Sequence, residues 1–198
     1  MVDAGPAPGA RRADARRNRD EILTVARAVL AEQGTQASLR DVARRAGVGL
    51  GTLYRHFPTR DALLETLLHE GFGQLVELAG TLRTTRSPAE ALAEWLRALA
   101  AGSSIYRGLP SSLAAALREP GSALWASCTV LHDAGAQLLL DAQEGGWARG
   151  DVTGADMFAL VGAVTSMTED GGPFADRRDH LLSVVLDGLS APARRENS

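Results

Sequence analysis

Apolar residues recur every three or four positions along most of the 198-residue chain, a spacing that places them on one face of a helix. In the first such segment Ile22, Ala26, Val29 and Leu30 share a face, and Gly34 ends the run. No segment shows the strict alternation of a half-buried strand. The pattern therefore predicts an all-α protein of about nine helices. The predicted helices span residues 19–33, 38–45, 50–57, 60–83, 87–102, 109–118, 122–143, 156–168 and 178–189.

Capping residues support these boundaries. Ser38, Ser87 and Ser122 each precede a periodic apolar run, and serine is among the best N-cap residues. Pro88 follows Ser87 directly, and proline is favoured at the first helical position. A Gly-Gly-Pro sequence in the segment 169–176 predicts a loop before the last helix.

The two ends of the chain lack periodicity. Residues 1–18 are rich in Pro, Gly, Ala and Arg, which predicts a disordered arginine-rich arm. Residues 191–198 are predicted to form a disordered tail. The arginines of the arm either contact a polyanion or belong to a solvated leader, and the composition favours the leader.

Charge is distributed unevenly. Residues 1–60 hold 11 Arg and 6 acidic residues, a net charge of +5, whereas residues 61–198 hold 10 Arg and 18 acidic residues, a net charge of −8. A basic end on an acidic body is typical of a protein that contacts nucleic acid at one end only. Arginine-rich termini are also common as solvated tails, so charge alone does not decide the function.

One segment, SLRDVARRAGVGLGTLYRHFPTR at residues 38–60, carries the strongest functional signal. It predicts two short helices joined by a tight glycine-containing turn, after a longer supporting helix. Ala43 is small enough for the two helices to cross closely, and Gly47 can adopt the left-handed backbone that the turn needs. This is the helix-turn-helix arrangement, whose second helix lies in the major groove of DNA.

The segment of about residues 20–68 resembles the DNA-binding signature of the TetR family of bacterial regulators, most specifically in GVGLGTLYRHFPTRDALL. A stretch near LLLDAQEGGWARGDVTGADM also resembles the sensor domain of one TetR subgroup. The resemblance implies phosphate contacts from Ser38, Tyr54, His56 and Arg60. It implies groove-facing roles for Val48, Gly49, Leu50, Gly51, Thr52 and Arg55. One alternative stays open for each of two residues: Tyr54 packs against the first helix, and His56 caps the C-terminus of its own helix.

The resemblance also implies a domain organisation and a function. Residues 19–64 are expected to form the DNA-binding domain, and residues 65–190 a helical ligand-binding and dimerisation domain. The expected function is that of a cytoplasmic repressor that binds a palindromic operator as a homodimer and is released by an unknown small-molecule inducer. The alternative is a helical protein-interaction module that does not bind DNA.

The second domain offers candidate residues for both of its roles. The predicted ligand pocket is lined by side chains that are unusual in this chain: Trp95, Tyr106, Trp125, Cys128, His132 and Phe158. The predicted dimer interface uses the apolar positions of the last two helices: Phe158, Val161, Leu181, Leu182, Val185, Leu186 and Leu189. In each case the alternative is that the side chains are ordinary core.

Several other classes of protein are not expected. The glycines at 47, 49 and 51 follow a helix and lack the third glycine of a dinucleotide loop, and no hydrolase, zinc-protease or nucleotide-binding motif is present, so an enzyme is not predicted. Cys128 and His132 share a helical face but lack further ligands, so no metal or other cofactor is predicted. No run of about 18 apolar residues is present, so no membrane span and no membrane partner are expected.

Overall fold

The computed structural model describes residues 8–34, 37–102, 111–168 and 174–191. In these ranges the chain forms nine α-helices and a 3-10 turn at Ala175–Arg177, and the all-α fold class is confirmed. The helices are α1 (Pro8–Gln33), α2 (Leu39–Arg45), α3 (Leu50–His56), α4 (Arg60–Thr85), α5 (Pro88–Gly102), α6 (Ser111–Ala116), α7 (Ala123–Glu144), α8 (Gly154–Met167) and α9 (Arg178–Leu189). None of these helices is both long and apolar enough to cross a lipid bilayer.

The described residues fall into two compact units. The first unit contains α1, α2, α3 and the beginning of α4 up to Leu67. The second contains α4 from Leu68, together with α5, α7, α8 and α9, and α6 is divided between the two. The boundary between the two units along the chain lies within α4.

The first unit has its own apolar core. The periodic face predicted for α1 is buried, and apolar side chains of α2, α3 and α4 are buried in the same unit. The core residues of this unit include Ile22, Leu23, Ala26, Val29, Leu30, Val42, Ala43, Leu53, Phe57, Leu63 and Leu64. The arrangement supports α3 from one side only and leaves its other side exposed.

The disordered arm predicted for residues 1–18 is wrong from Pro8 onward. Helix α1 begins at Pro8 and runs without interruption past Arg19, where the sequence pattern first indicated a helix. Proline fits the first turn of a helix because its missing N–H would have no partner there, and Ala and Arg are strong helix formers. The segment has no apolar face, so periodicity could not reveal it. Residues 1–7 and 192–198, the ends of the predicted arm and tail, lie outside the described residues.

The second unit is built around α5. Its residues Trp95 and Leu92 are completely buried, and α5 packs against both α7 and α8. The indole N–H of Trp95 donates a 2.8 Å hydrogen bond to the carbonyl oxygen of Leu75 on α4. A buried indole N–H needs such a partner, because an unpaired donor in a dry interior is costly.

Two glycines let helices of the second unit approach closely. A Cβ atom at Gly135 on α7 would lie only 2.5 Å from Trp95 Cη2 and 2.9 Å from Phe158 Cζ. A Cβ atom at Gly154, the first residue of α8, would lie 3.0 Å from the Cβ atom of Ala136. The packing of α7 against α5 and α8 therefore depends on glycine, which has no side chain, at positions 135 and 154.

Most of the predicted helix boundaries agree with the structure within two residues. Ser38 and Ser122 are N-caps, and their side chains accept hydrogen bonds from the backbone N–H groups of Arg40 and Trp125. The start of α8 differs because Thr153 forms a capping box with Asp156, which places the first helical residue before Asp156. The predicted loop 169–176 ends in the 3-10 turn, while its residues 169–173 lie outside the described ranges.

Candidate nucleic-acid interface

Helices α2 and α3 form the predicted helix-turn-helix. Gly47 lies in the turn with φ of +64°, so the expected left-handed glycine is confirmed. The turn is closed by a 3.0 Å hydrogen bond from the N–H of Val48 to the carbonyl oxygen of Ala43. Gly49 then serves as the N-cap of α3. Because a left-handed conformation costs other residues roughly 1–2 kcal/mol, this geometry favours glycine at position 47.

The position of α3 is determined by apolar contacts on its inner side. Leu53 and Phe57 are buried in the core of the first unit. The guanidinium of Arg19 on α1 lies over the ring of Phe57 at 5.6 Å, a cation–π contact that joins the supporting helix to the end of α3. The inner side of α3 is therefore occupied by packing contacts, and only its outer side is available to a ligand.

Helix α2 is connected to α1 by charged groups. Asp41 accepts hydrogen bonds from Arg44 and Gln33, and Arg45 bridges Asp41 at 3.1 Å and Glu32 at 2.6 Å. The hydrogen bond from Arg44, with Gln33 and the charge of Arg45, lowers the pKa of Asp41. Two of the basic side chains in this region thus have acidic partners in the protein.

The outer side of α3 is small and polar. Gly51, Thr52 and Arg55 lie opposite the buried Leu53, at positions that a helix places on one face. Gly51 and Arg55 are exposed and Thr52 is half-buried. A side chain at Gly51 would meet no heavy atom within 4 Å. The backbone of α3 can therefore approach a large ligand closely on this side.

The aromatic residues at the end of α3 differ in exposure. Tyr54 is 47% exposed, so a large part of this residue is accessible to a ligand. His56 is half-buried, and its ring is tilted by 46° against that of Phe57 at a centroid distance of 6.3 Å. Val48 and Leu50 are also half-buried, at the beginning of the exposed side of α3.

Arg60 is the first residue of α4. Its side chain is half-buried, and its Nε and Nη2 atoms are shielded from solvent without a hydrogen-bond partner in the part of the chain that the structure describes. A shielded guanidinium without an acceptor is unfavourable. Ser38, at the start of α2, is exposed, and its hydroxyl oxygen caps the helix. Both residues lie at helix N-termini, where backbone N–H groups attract anions.

The predicted ligand-pocket residues are only partly brought together. The ring of Phe158 meets that of Trp95 edge-on at 5.8 Å and stacks on that of His132 at 4.0 Å. Trp95 itself is completely buried, so no space large enough for water adjoins it. Its indole is part of the core in this conformation, and its role as a pocket wall stays a prediction. Tyr106 lies outside the described residues.

Three of the pocket candidates share one face of α7. Trp125, Cys128 and His132 follow one another at intervals of three and four residues, and Trp125 is 38% exposed. Burial raises the pKa of the Cys128 thiol and lowers the pKa of His132, the latter against an opposing effect of Asp133. Both side chains are therefore biased toward their neutral forms. No cluster of three or more metal-binding side chains is found in the described ranges.

Most residues of the predicted dimer interface belong to the core of the single chain, and their role in dimerisation stays a prediction. Val161, Leu182, Leu186 and Leu189 are buried in the single chain, because their faces of α8 and α9 close the core of the second unit. Phe158 is engaged with its aromatic neighbours. Leu181 and Val185 are half-buried. The exposed positions of the two helices carry polar residues, such as Ser166, Ser183 and Asp187, beside a set of apolar and small ones: Ala159, Leu160, Gly162, Ala163, Met167, Val184 and Gly188.

Sequence reasoning missed Gly135 and the exposed residues of α8 and α9. The signal for Gly135 was a glycine in the middle of an otherwise apolar helical face. The signal for the exposed faces was the run of Gly and Ala between the larger apolar residues of α8. Periodicity alone could not distinguish the two sides of α8, because apolar residues occur on both.

Comparison with known proteins agrees with this geometry. Residues 22–67 match the family model described as bacterial regulatory proteins of the tetR family. Residues 87–191, more than half of the chain, match the C-terminal domain of SbtR-like transcriptional regulators.

Individual relatives show the same family. A TetR transcriptional regulator from Streptomyces coelicolor has a solved structure that is 34% identical, with a TM-score of 0.72, and the match covers 88% of this chain and 99% of that one. A TetR regulatory protein from Mycobacterium vanbaalenii is 32% identical, with a TM-score of 0.63 over 91% of this chain and 99% of that one. The transcriptional repressor KstR2 of Rhodococcus jostii is 33% identical over 79 residues, which are 37% of this chain and only 39% of the repressor.

The fold and the exposed α3 define a helix-turn-helix protein with a separate helical unit. The chain belongs to the TetR family of transcriptional regulators. It is thus a DNA-binding regulator, and the alternative of an interaction module without DNA binding is set aside.

Proposed function

We propose that the protein is a repressor that binds a palindromic operator as a homodimer and releases it when a small molecule occupies the second unit. The observation that carries the proposal is the helix-turn-helix, with α3 packed on its inner side and small and polar on its outer side. The relatives named as the repressor KstR2, from Rhodococcus jostii and Mycolicibacterium smegmatis, support repression as the mode of action.

The DNA contacts divide into two groups. Contacts to the phosphate backbone position the protein, and contacts to base edges provide specificity. We assign the backbone contacts to Ser38, Tyr54, His56 and Arg60, at the periphery of α3 or at helix N-termini. We assign the groove-facing positions to the beginning and the outer side of α3: Val48, Gly49, Leu50, Gly51, Thr52 and Arg55.

Arg60 supports the backbone assignment through its unsatisfied donors. A DNA phosphate beside the N-terminus of α4 would supply the acceptor that Nε and Nη2 lack. The half-buried side chain would have to rotate toward the DNA to make this contact. The backbone N–H groups of the same helical turn would bind the same anion.

Dimerisation is assigned to the exposed faces of α8 and α9. Leu160, Met167 and Val184 are 44%, 53% and 53% exposed, and small residues separate them along the helices. Gly162 and Gly188 have open space where a side chain would stand, so a second backbone can approach closely. A two-fold dimer presents two copies of α3 to two half-sites, which is how a helix-turn-helix protein reads a palindrome.

The dimer assignment can be tested by placing a charge on this face. We expect Leu160→Glu to shift the protein from dimer to monomer in sedimentation velocity, because a carboxylate buried against an apolar partner is costly. Val130→Glu is the matched control, since Val130 is 52% exposed on α7 rather than on α8 or α9. A dimer that survives Leu160→Glu would place the interface elsewhere.

The ligand is assigned to the face of α7 that carries Trp125, Cys128 and His132. Largely apolar walls with a few polar groups are typical of small-molecule sites. Mass spectrometry of the denatured, freshly purified protein would reveal a co-purified compound.

The decisive experiment is a binding titration with DNA from just upstream of the protein's own coding region, at two salt concentrations. We expect tight binding that survives competitor DNA and weakens steeply with salt, because each neutralised phosphate releases counterions. Footprinting would then show two half-sites related by a two-fold axis. Binding that is weak, insensitive to salt and equal on all sequences would contradict the proposed function.

A further inference from the structure

Arg55 is folded back along its own helix. Its Nε donates to the carbonyl oxygen of Gly51 at 3.2 Å, and its Nη2 donates to Thr52 Oγ1, also at 3.2 Å. A guanidinium carries five N–H donors in one plane, so these bonds occupy the edge formed by Nε and Nη2. The edge formed by Nη1 and Nη2 keeps two parallel N–H donors, and neither is used by the two bonds.

This free edge lies on the outer side of α3. Arg55 is exposed, and its two anchors are on the face opposite the buried Leu53. A side chain at Gly51 would meet no heavy atom, and one at Gly49 would meet only Thr52 Oγ1 at 4.0 Å. The guanidinium of Arg55 therefore belongs to an exposed part of α3 that carries few other side-chain atoms, and its remaining chemistry is that of two parallel donors.

We propose that Arg55 reads a guanine of the operator through this edge and that Thr52 is its positioning residue. Guanine presents O6 and N7 as adjacent acceptors in the major groove, and a pair of arginine N–H groups matches them. No other base offers two adjacent acceptors there, because adenine pairs N7 with a donor. The inference rests on the DNA binding proposed above and adds the base class and the residue that prepares the contact.

The hydrogen bond to Thr52 has a physical purpose in this scheme. A free arginine side chain loses much rotational freedom when it is ordered at an interface. An arginine already tethered to Thr52 and Gly51 loses less, because part of its ordering precedes binding. The Thr52 hydroxyl accepts from Arg55, so it acts on the base through the guanidinium rather than in its place.

The test begins with selection of bound sequences from a random DNA pool by the full-length protein. In the enriched operator, each guanine is replaced in turn by 7-deazaguanine, which keeps O6 but lacks the N7 acceptor. We expect one guanine in each half-site at which this replacement weakens binding by about tenfold, in the lower part of the range for a bidentate contact because only one of its two hydrogen bonds is lost. In Arg55→Ala the same replacement should have no effect at that position.

The positioning role is tested with two substitutions at position 52. Thr52→Val keeps the shape of the side chain but removes the acceptor, and it should reduce the preference for the same guanine. Thr52→Ser keeps the hydroxyl and should restore that preference. In the Arg55→Ala background Thr52→Val should cause no further loss at this base pair. Thr81→Val, at an exposed threonine of α4, is the control for the substitution itself.

The possible failures can be distinguished. If no sequence is enriched, both the proposed function and this inference fail. If a sequence is enriched but Arg55→Ala weakens all sequences alike and flattens the salt dependence, Arg55 contacts phosphate and the inference alone is wrong. Thr52→Val could change the preference at a different base pair, or it could cause the same loss in the Arg55→Ala background as in the wild type. Either result would show that Thr52 reads DNA independently, and its positioning role would be refuted.

Discussion

The close contact at Gly135 leads to a quantitative prediction for Gly135→Ala. The added Cβ would lie 2.5 Å from Trp95 Cη2, 2.8 Å from Trp95 Cζ3 and 2.9 Å from Phe158 Cζ. Favourable carbon–carbon separations are about 3.5–4.0 Å, so the Cβ overlaps the Trp95 ring by about 1 Å. The ring cannot move away easily, because it is completely buried and its N–H is bonded to Leu75.

The expected magnitude follows from two opposing effects. Overpacking a core costs about 1–3 kcal/mol, and the rigid ring places this site near the upper end. Alanine in a helix interior is about 1 kcal/mol more favourable than glycine, which offsets part of the cost. We therefore expect Gly135→Ala to lower the free energy of unfolding by about 2 kcal/mol. For a chain of this length that corresponds to a decrease in Tm of about 4–8 °C.

The assay is urea unfolding followed by circular dichroism, with all variants at one protein concentration because dimerisation would affect stability. Gly80→Ala is the matched control: Gly80 is exposed on α4 with no heavy atom within 4 Å, so only the gain of about 1 kcal/mol should appear. Combining Gly135→Ala with Trp95→Phe removes the overlapping ring atoms. The double variant should therefore lose less unfolding free energy than the two single variants lose together. If Gly135→Ala stabilised the protein as much as Gly80→Ala does, the close packing of α7 on α5 would be refuted.

Three further predictions concern the DNA-binding unit and the second unit. Arg60→Ala should weaken binding to all sequences alike and reduce the salt slope by about one unit in titrations, whereas the same change at the exposed Arg97 should not; an unchanged slope would remove Arg60 from the phosphate contacts. Gly47→Val should destabilise the first unit by roughly 1–2 kcal/mol in thermal unfolding, because φ is +64° and open space leaves only the conformational cost; wild-type melting would show that the turn is built differently. The hydrogen bond from Arg83 lowers the pKa of Asp141, so this pair stabilises the fold above about pH 4, the value for an unfolded Asp, and the stabilisation is lost as pH falls through the lower folded pKa. The stability of Arg83→Gln should therefore approach that of the wild type on acidification, and a constant difference down to pH 2 would contradict the pairing.

The helix-turn-helix was largely determined by the sequence itself. Its signals are local: a serine N-cap at Ser38, a glycine at position 47 for a left-handed turn, and apolar residues at helical spacing. Each acts within a few residues of the chain, so the sequence pattern is enough to predict it. The same reason explains why α9 was predicted at its observed limits, Arg178–Leu189.

The extent of α1 and the choice between the two sides of α8 were not accessible in this way. Helix α1 extends to Pro8 through high-propensity residues that have no apolar face, so periodicity gave no sign of it. Helix α8 carries apolar residues all round, and only packing against α5, α7 and α9 decides that Val161 is buried while Leu160 remains exposed. The spacing of apolar residues predicts which of them share a helix face, but it does not predict which element packs against that face.

The tertiary structure alone also decided the roles of single side chains. Trp95 and Trp125 are both tryptophans on apolar helices, yet one is a completely buried core residue and the other is 38% exposed. The bond between Arg55 and Thr52 likewise depends on rotamers that sequence does not specify. Burial and hydrogen bonding are collective properties of all packed elements. The sequence therefore determined the class of protein and its DNA-binding motif, whereas the three-dimensional packing decided which side chains remain free to act.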